Sequence, residues 1–95
     1  MIFSISYSRG KNYDLNKSIY KQDLLEHAHY MNKLLDEGII LSAGPFTDSS
    51  GAQILLKADN EKEVIEIINQ DPAIIKSIFS YQIKTWDIKF NALKF

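Results

Sequence analysis

Hydrophobic and polar residues alternate at the start of the chain. Phe3, Ile5 and Tyr7 fall on one phase, Ser4 and Ser6 on the other. That is the period of a strand with one buried face, and it predicts a first strand over Ile2 to Tyr7. A polar stretch from Ser8 to about Asn16 follows, with Gly10, Asn12 and Asp14 supplying turn chemistry. The period then changes. Tyr20, Leu24, Ala28, Met31, Leu34 and Leu35 recur at helical spacing, which predicts a helix from about Lys17 to Asp36. Gly38 stands where a left-handed residue commonly closes a helix.

The run from Ile39 to Gly44 is continuous and apolar, as in a strand. Pro45 cannot donate to a sheet ladder, so the strand ends or bends there. Thr47 to Gly51 is a turn into a strand over Ala52 to Ala58, which makes a hairpin. Asp59 or Asn60 caps a second helix, with Glu63 placed as a capping-box partner. Val64, Ile65, Ile67 and Ile68 form its apolar side. Asp71-Pro72 reads as an N-cap followed by a first-turn proline, opening a short helix lined by Ile74, Ile75 and Ile78. The last strand is expected from about Phe79 to Phe90. Phe79, Tyr81 and Ile83 share one phase and Trp86, Ile88 and Phe90 the other, so a bulge near Lys84-Thr85 is expected.

The order β-α-β-β-α-β is that of the ferredoxin-like split unit, an α+β fold with a four-stranded antiparallel sheet. The 95 residues form a single domain (1–95) in this reading. Two helices cover only one face of such a sheet. Apolar and aromatic residues are expected on the other, and a second copy would cover them, giving a barrel-like homodimer or a higher oligomer. Trp86, Tyr81 and Phe90 are then core or dimer contacts, or alternatively the wall of a cavity for an aromatic ligand.

Composition narrows the function. The chain has no cysteine, so neither a disulfide nor a thiolate is available. With a net charge of −1 it lacks the basic excess that phosphate backbones require, which argues against nucleic acid. No apolar run approaches a membrane span and the N-terminus does not resemble a signal peptide, so a cytoplasmic protein that does not enter a membrane is expected. The glycines form no phosphate-binding pattern.

Two histidines remain as candidate chemistry. His27 and His29 point roughly 200° apart on a helix, and no two ligands share a face at metal-binding spacing, so no metal is expected. His27 aligns with Leu24, Met31 and Leu34 on the buried stripe, while His29 falls with Lys33 and Asp36 toward solvent. His27 is therefore either a core histidine bonded to backbone or a general acid/base against a cavity. Asp71 is a helix cap that can also orient His27, since a functional histidine needs a partner on its second nitrogen. Gly44-Pro45 is a strand-end bend, or an opening of backbone space for a ligand.

The stretch His27-Ala28-His29-Tyr30-Met31-Asn32-Lys33-Leu34-Leu35-Asp36-Glu37-Gly38, then Leu41-Ser42-Ala43-Gly44-Pro45, then Asp71-Pro72, resembles the YciI-like (YCII-related) proteins. The resemblance spans essentially the whole chain. It implies a dimeric α+β barrel related to muconolactone isomerase, with a His-Asp pair at His27 and Asp71 as the active site. At least one relative is a dehydrochlorinase acting on a chlorinated hydroxyquinol. Two positions depart from the family pattern. Leu24 stands where members often carry an arginine, and Ser8-Arg9-Gly10 stands where an aspartate is common. Arg9 is a candidate substitute anchor, and backbone around Ser42, Gly44 and Pro45 a candidate pocket wall.

The resulting expectation is a cofactor-independent enzyme, a lyase or isomerase of dehydrochlorinase type, acting on a small cyclic or aromatic molecule. The alternatives are a non-catalytic module that holds a small ligand in the dimer cavity, and a cofactor-free monooxygenase.

Overall fold

The structure, a computed structural model, describes residues 1–92. Its elements are β1 (Ile2–Arg9), a 3₁₀ turn (Ile19–Lys21), α1 (Leu25–Asp36), β2 (Ile40–Pro45), β3 (Gly51–Lys57), α2 (Glu61–Ile68), α3 (Pro72–Ile75) and β4 (Phe79–Thr85). The strands form one antiparallel sheet in the order β2-β3-β1-β4, the α+β ferredoxin-like arrangement.

Register explains the core. Phe3, Ile5 and Tyr7 lie opposite Leu56, Ile54 and Ala52 on one side and Thr85, Ile83 and Tyr81 on the other. Because side chains alternate, these residues share the face that the helices cover. Phe3, Ile5, Leu56, Val64 and Ile68 have no accessible surface, and Leu34 of α1 packs into the same cluster. Asn60 caps α2 by accepting from the Glu63 amide, and Glu63 returns a bond to the Asp59 amide, one residue before the cap. Gly38, at φ 74°, closes α1 in the left-handed region. Ile65, on the apolar side of α2, and Ile75 of α3 are exposed.

The expected helix over Lys17–Asp36 is broken. Only Leu25–Asp36 is α-helical. The Gln22 side chain is the cause. Its amide donates to the carbonyls of Asp14, Lys17 and Ser18, and its Oε1 accepts from the Asp14 amide at 3.0 Å. Carbonyls engaged in this way draw the segment into a compact strap, and Gln22 itself is extended at ψ 159°. Ile19, buried on the core, pins the strap down.

The last strand is also shorter than expected. It ends at Thr85, with the Trp86 amide making a final bond to Ile2 at the start of β1. No bulge occurs at Lys84-Thr85, and Ile88 and Phe90 lie outside the sheet. They have no β1 residue to pair with, since β1 starts at Ile2. The register shift falls instead between Ile40 and Ser42 in β2, and this strand continues to Pro45, opposite Ala52.

The uncovered face differs from expectation too. By register it carries Ser4, Ser6, Ser8, Ser42, Gln53, Ser80 and Gln82. Ser6 donates to Gln53, Gln53 to Ser4, and Ser8 pairs with Ser80. Its apolar groups are local: Leu55 lines a hollow with Phe46 and Trp86 near one end. No helix among the described residues is long and apolar enough to cross a membrane.

Candidate functional site

Three elements converge on Asp71. It precedes α3, and its Oδ1 accepts from the Ala73 amide at 2.9 Å, the N-cap bond that the Asp-Pro pair foretells. From α1, His27 brings Nδ1 to 2.8 Å from both Oδ1 and Oδ2. From β1, the Tyr7 hydroxyl donates to Oδ2 at 2.7 Å. Asp71 has no accessible surface, whereas the His27 side chain is 19% exposed. A carboxylate removed from water is tolerated only when its lone pairs are occupied, and this one has three donors.

The neighbours fix the geometry. The Phe79 ring sits 5.5 Å from Tyr7 and edge-on to His27 at 6.4 Å. Burial first, then the Asp71 charge, pushes the Tyr7 hydroxyl well above the ordinary phenol range, so it stays protonated and is the donor in the bond to Asp71. Burial likewise raises Tyr30, whose hydroxyl donates to the Ile67 carbonyl at 2.7 Å and ties α1 to α2. Lys76 reaches Asp23 and Glu26, joining α3 to the segment that opens α1.

With Nδ1 donating to Asp71, Nε2 is the ring's acceptor, and it has no hydrogen-bond partner among the described residues. His27 lines a cavity of about 340 Å³ between sheet and helix. Ile54, Ala52, Ala43 and Pro45 form one side, Leu24 and Met31 of the helical side face them, and Ile19 and Tyr20 come from the strap. That size suits a small organic ligand. No lysine or arginine lines it.

The expected site residues separate into two groups. His27 and Asp71 meet, and Gly44 and Pro45 border the same cavity. Ser42 does not line it; register turns Ser42 to the uncovered sheet face. Arg9 does not line it either. Its guanidinium stacks 5.0 Å from the Tyr13 ring and donates to the Ser49 carbonyl, fastening the loop after β1 to the hairpin turn. The alternation along β1 places Tyr7 on the buried face and assigns it no chemistry. Its hydroxyl is the signal, since a tyrosine buried in a sheet needs an acceptor. Among the described residues no group of three or more His, Asp or Glu is placed to hold a metal ion.

A four-stranded antiparallel sheet with helices on one face defines the class as α+β of ferredoxin-like arrangement. The chain belongs to the YCII-related domain family, whose model matches residues 7–87. It is 30% identical over 63 residues to the uncharacterized protein YjpA of Bacillus subtilis (strain 168), covering 66% of this chain and 74% of that one. Its fold is similar to 5-chloro-2-hydroxyhydroquinone dehydrochlorinase (TftG) from Burkholderia phenoliruptrix AC1100, solved in complex with 2,5-dihydroxybenzoquinone. The TM-score is 0.71 at 21% identity, over 92% of this chain and 94% of that one.

Proposed function

We propose that the chain is a cofactor-independent acid/base enzyme in which His27 moves a proton on a small cyclic or aromatic molecule. The observation that carries this is the engagement of Nδ1 by both oxygens of Asp71, which leaves Nε2 as the base beside the cavity. Nε2 takes a proton from a carbon or hydroxyl of the ligand. The electron pair left behind forms a new double bond, and a leaving group departs with its own pair, or the proton returns at another atom. The first outcome is lyase or dehydrochlorinase chemistry, the second isomerisation. In both, the imidazolium forms against the Asp71 carboxylate, which stabilises it and holds the tautomer.

The fold shared with a dehydrochlorinase supports this reading, as does a cavity with apolar walls and no fixed cation. A ligand that enters uncharged and gives up a proton inside suits such walls. Chloride release from 5-chloro-2-hydroxyhydroquinone, in native protein and His27→Ala, tests the proposal. Release that survives a chelator and is lost in His27→Ala supports it, whereas equal rates in both proteins defeat it. Saturable binding of 2,5-dihydroxybenzoquinone with no turnover of any hydroxylated or halogenated ring would favour a non-catalytic binding module.

We further propose that residues 1–95 act as one domain and that two copies pair through the uncovered sheet face. The support is the hollow of Phe46, Leu55 and Trp86, whose two aromatic side chains are nearly half exposed in the single chain.

A further inference from the structure

Asp71 is an unusual group to bury, because the charge it carries has little to balance it. Among the described residues its one ion-pair partner is His27, and that pair is charged on both sides only when the imidazole is protonated. While His27 is neutral, the carboxylate depends on hydrogen bonds alone. Two of its donors are fixed by the fold. The Ala73 amide holds Oδ1 as part of the helix cap, and the Tyr7 hydroxyl holds Oδ2 across 64 positions of sequence.

Tyr7 is itself buried and packed. It is 2% exposed, lies opposite Tyr81 and Ala52 in the sheet, and packs against Phe79. Its proton stays on oxygen, so the bond to Asp71 has one direction. It also lines the cavity, with its ring 6.2 Å from that of His27.

We propose that Tyr7 is a positioning residue for the dyad. The inference rests on His27 and Asp71 acting as the acid/base pair. Tyr7 and the Ala73 amide grip the two oxygens from different elements, and this fixes the carboxylate plane so that both oxygens face Nδ1. A helix cap needs only one oxygen; the second grip is what turns the cap toward the imidazole. The Tyr7 bond also withdraws electron density from the carboxylate and so sets how strongly Asp71 pulls on the Nδ1 proton. Weaken the Tyr7 donor, and Asp71 accepts more strongly from His27; strengthen it, and Asp71 accepts less.

Ring-nitrogen NMR of ¹⁵N-histidine protein tests this, because correlations through the carbon-bound ring protons report tautomer and bond strength together. Tyr7→Phe removes the donor and keeps the ring, and the His27 Nδ1 resonance should move downfield. Incorporation of 3-fluorotyrosine at position 7 keeps the shape and strengthens the donor, and the resonance should move upfield. Opposite shifts from two near-isosteric side chains do not arise from a packing role. If Tyr7→Phe does not fold, the sign of the fluorotyrosine shift decides. A resonance that stays put, or moves the same way in both, overturns the role of Tyr7 and leaves the dyad standing. A tautomer unchanged in Asp71→Asn would instead defeat the dyad itself.

Discussion

The Nδ1 atom of His27 stands 2.8 Å from each carboxylate oxygen of Asp71, although 44 positions separate the two residues. The contact joins the first turn of α1 to the cap of α3, so one carboxylate both starts a helix and orients an imidazole. Asp71→Asn keeps the shape but presents an amide where Nδ1 needs an acceptor. The expected result is a shift of His27 toward the Nε2–H tautomer, read by ¹⁵N NMR, with proton-transfer turnover reduced roughly 10²–10⁴-fold. Unchanged turnover would remove Asp71 from the chemistry.

Stability should respond to the same residue. Asp71→Ala strands the Tyr7 hydroxyl and the Ala73 amide in a buried site. Each stranded donor costs about 1–3 kcal/mol. Denaturant unfolding should show a loss in that range or above it, and a smaller loss in Asp71→Asn.

Alkaline pH offers a second test of burial. The Tyr7 hydroxyl is raised from its ordinary value of 10.0. The unfolded chain therefore releases this proton above pH 10 while the folded protein keeps it. The stabilisation is fully present below pH 10 and falls as pH rises, by at most about 1.4 kcal/mol per pH unit from this group. Absorbance titration should find a tyrosine that ionises only when the protein unfolds, and Tyr7→Phe should lack that tyrosine.

The strap should loosen when its clamp is removed. Gln22 holds Asp14, Lys17 and Ser18 through its side chain, and Ser49 accepts from the Ile19 amide at 3.1 Å. In Gln22→Ala, hydrogen exchange at Ile19 and Lys21 should speed up while β1 and β3 keep their protection. Ligand affinity should fall as well, since Ile19, Tyr20 and Gln22 border the cavity.

Charge can be introduced at the cavity. Leu24 lines the cavity, which has no lysine or arginine in its wall. Leu24→Arg should tighten binding of 2,5-dihydroxybenzoquinone, an acidic quinone, by about 1 kcal/mol, roughly a fivefold fall in Kd. Titration calorimetry checks this, and equal affinity in the two proteins would place the ligand's charge away from Leu24.

Much of the fold is local and legible in the sequence. The alternation of Phe3, Ile5 and Tyr7, the Asn60 and Asp71 caps and the closing Gly38 each depend on neighbours within a few positions, and each has the expected form. The stripe of Leu24, Met31 and Leu34 follows from the same logic and packs on the core, with His27 on its line, whereas Leu35 is exposed. Tertiary contacts decided the rest. Gln22 ended a helical pattern by taking backbone carbonyls, a competition that apolar spacing does not register. The end of β4 was set by where β1 begins, not by the apolar residues beyond Thr85. Arg9 was drawn to Ser49 and Tyr13, and Tyr7 to Asp71, by strand register that joins distant positions. The sequence by itself determined the buried phase of β1 and how the helices are capped, because those depend on local geometry. Only the tertiary structure decided which buried polar groups meet, because a hydrogen bond across the fold depends on how every intervening element packs.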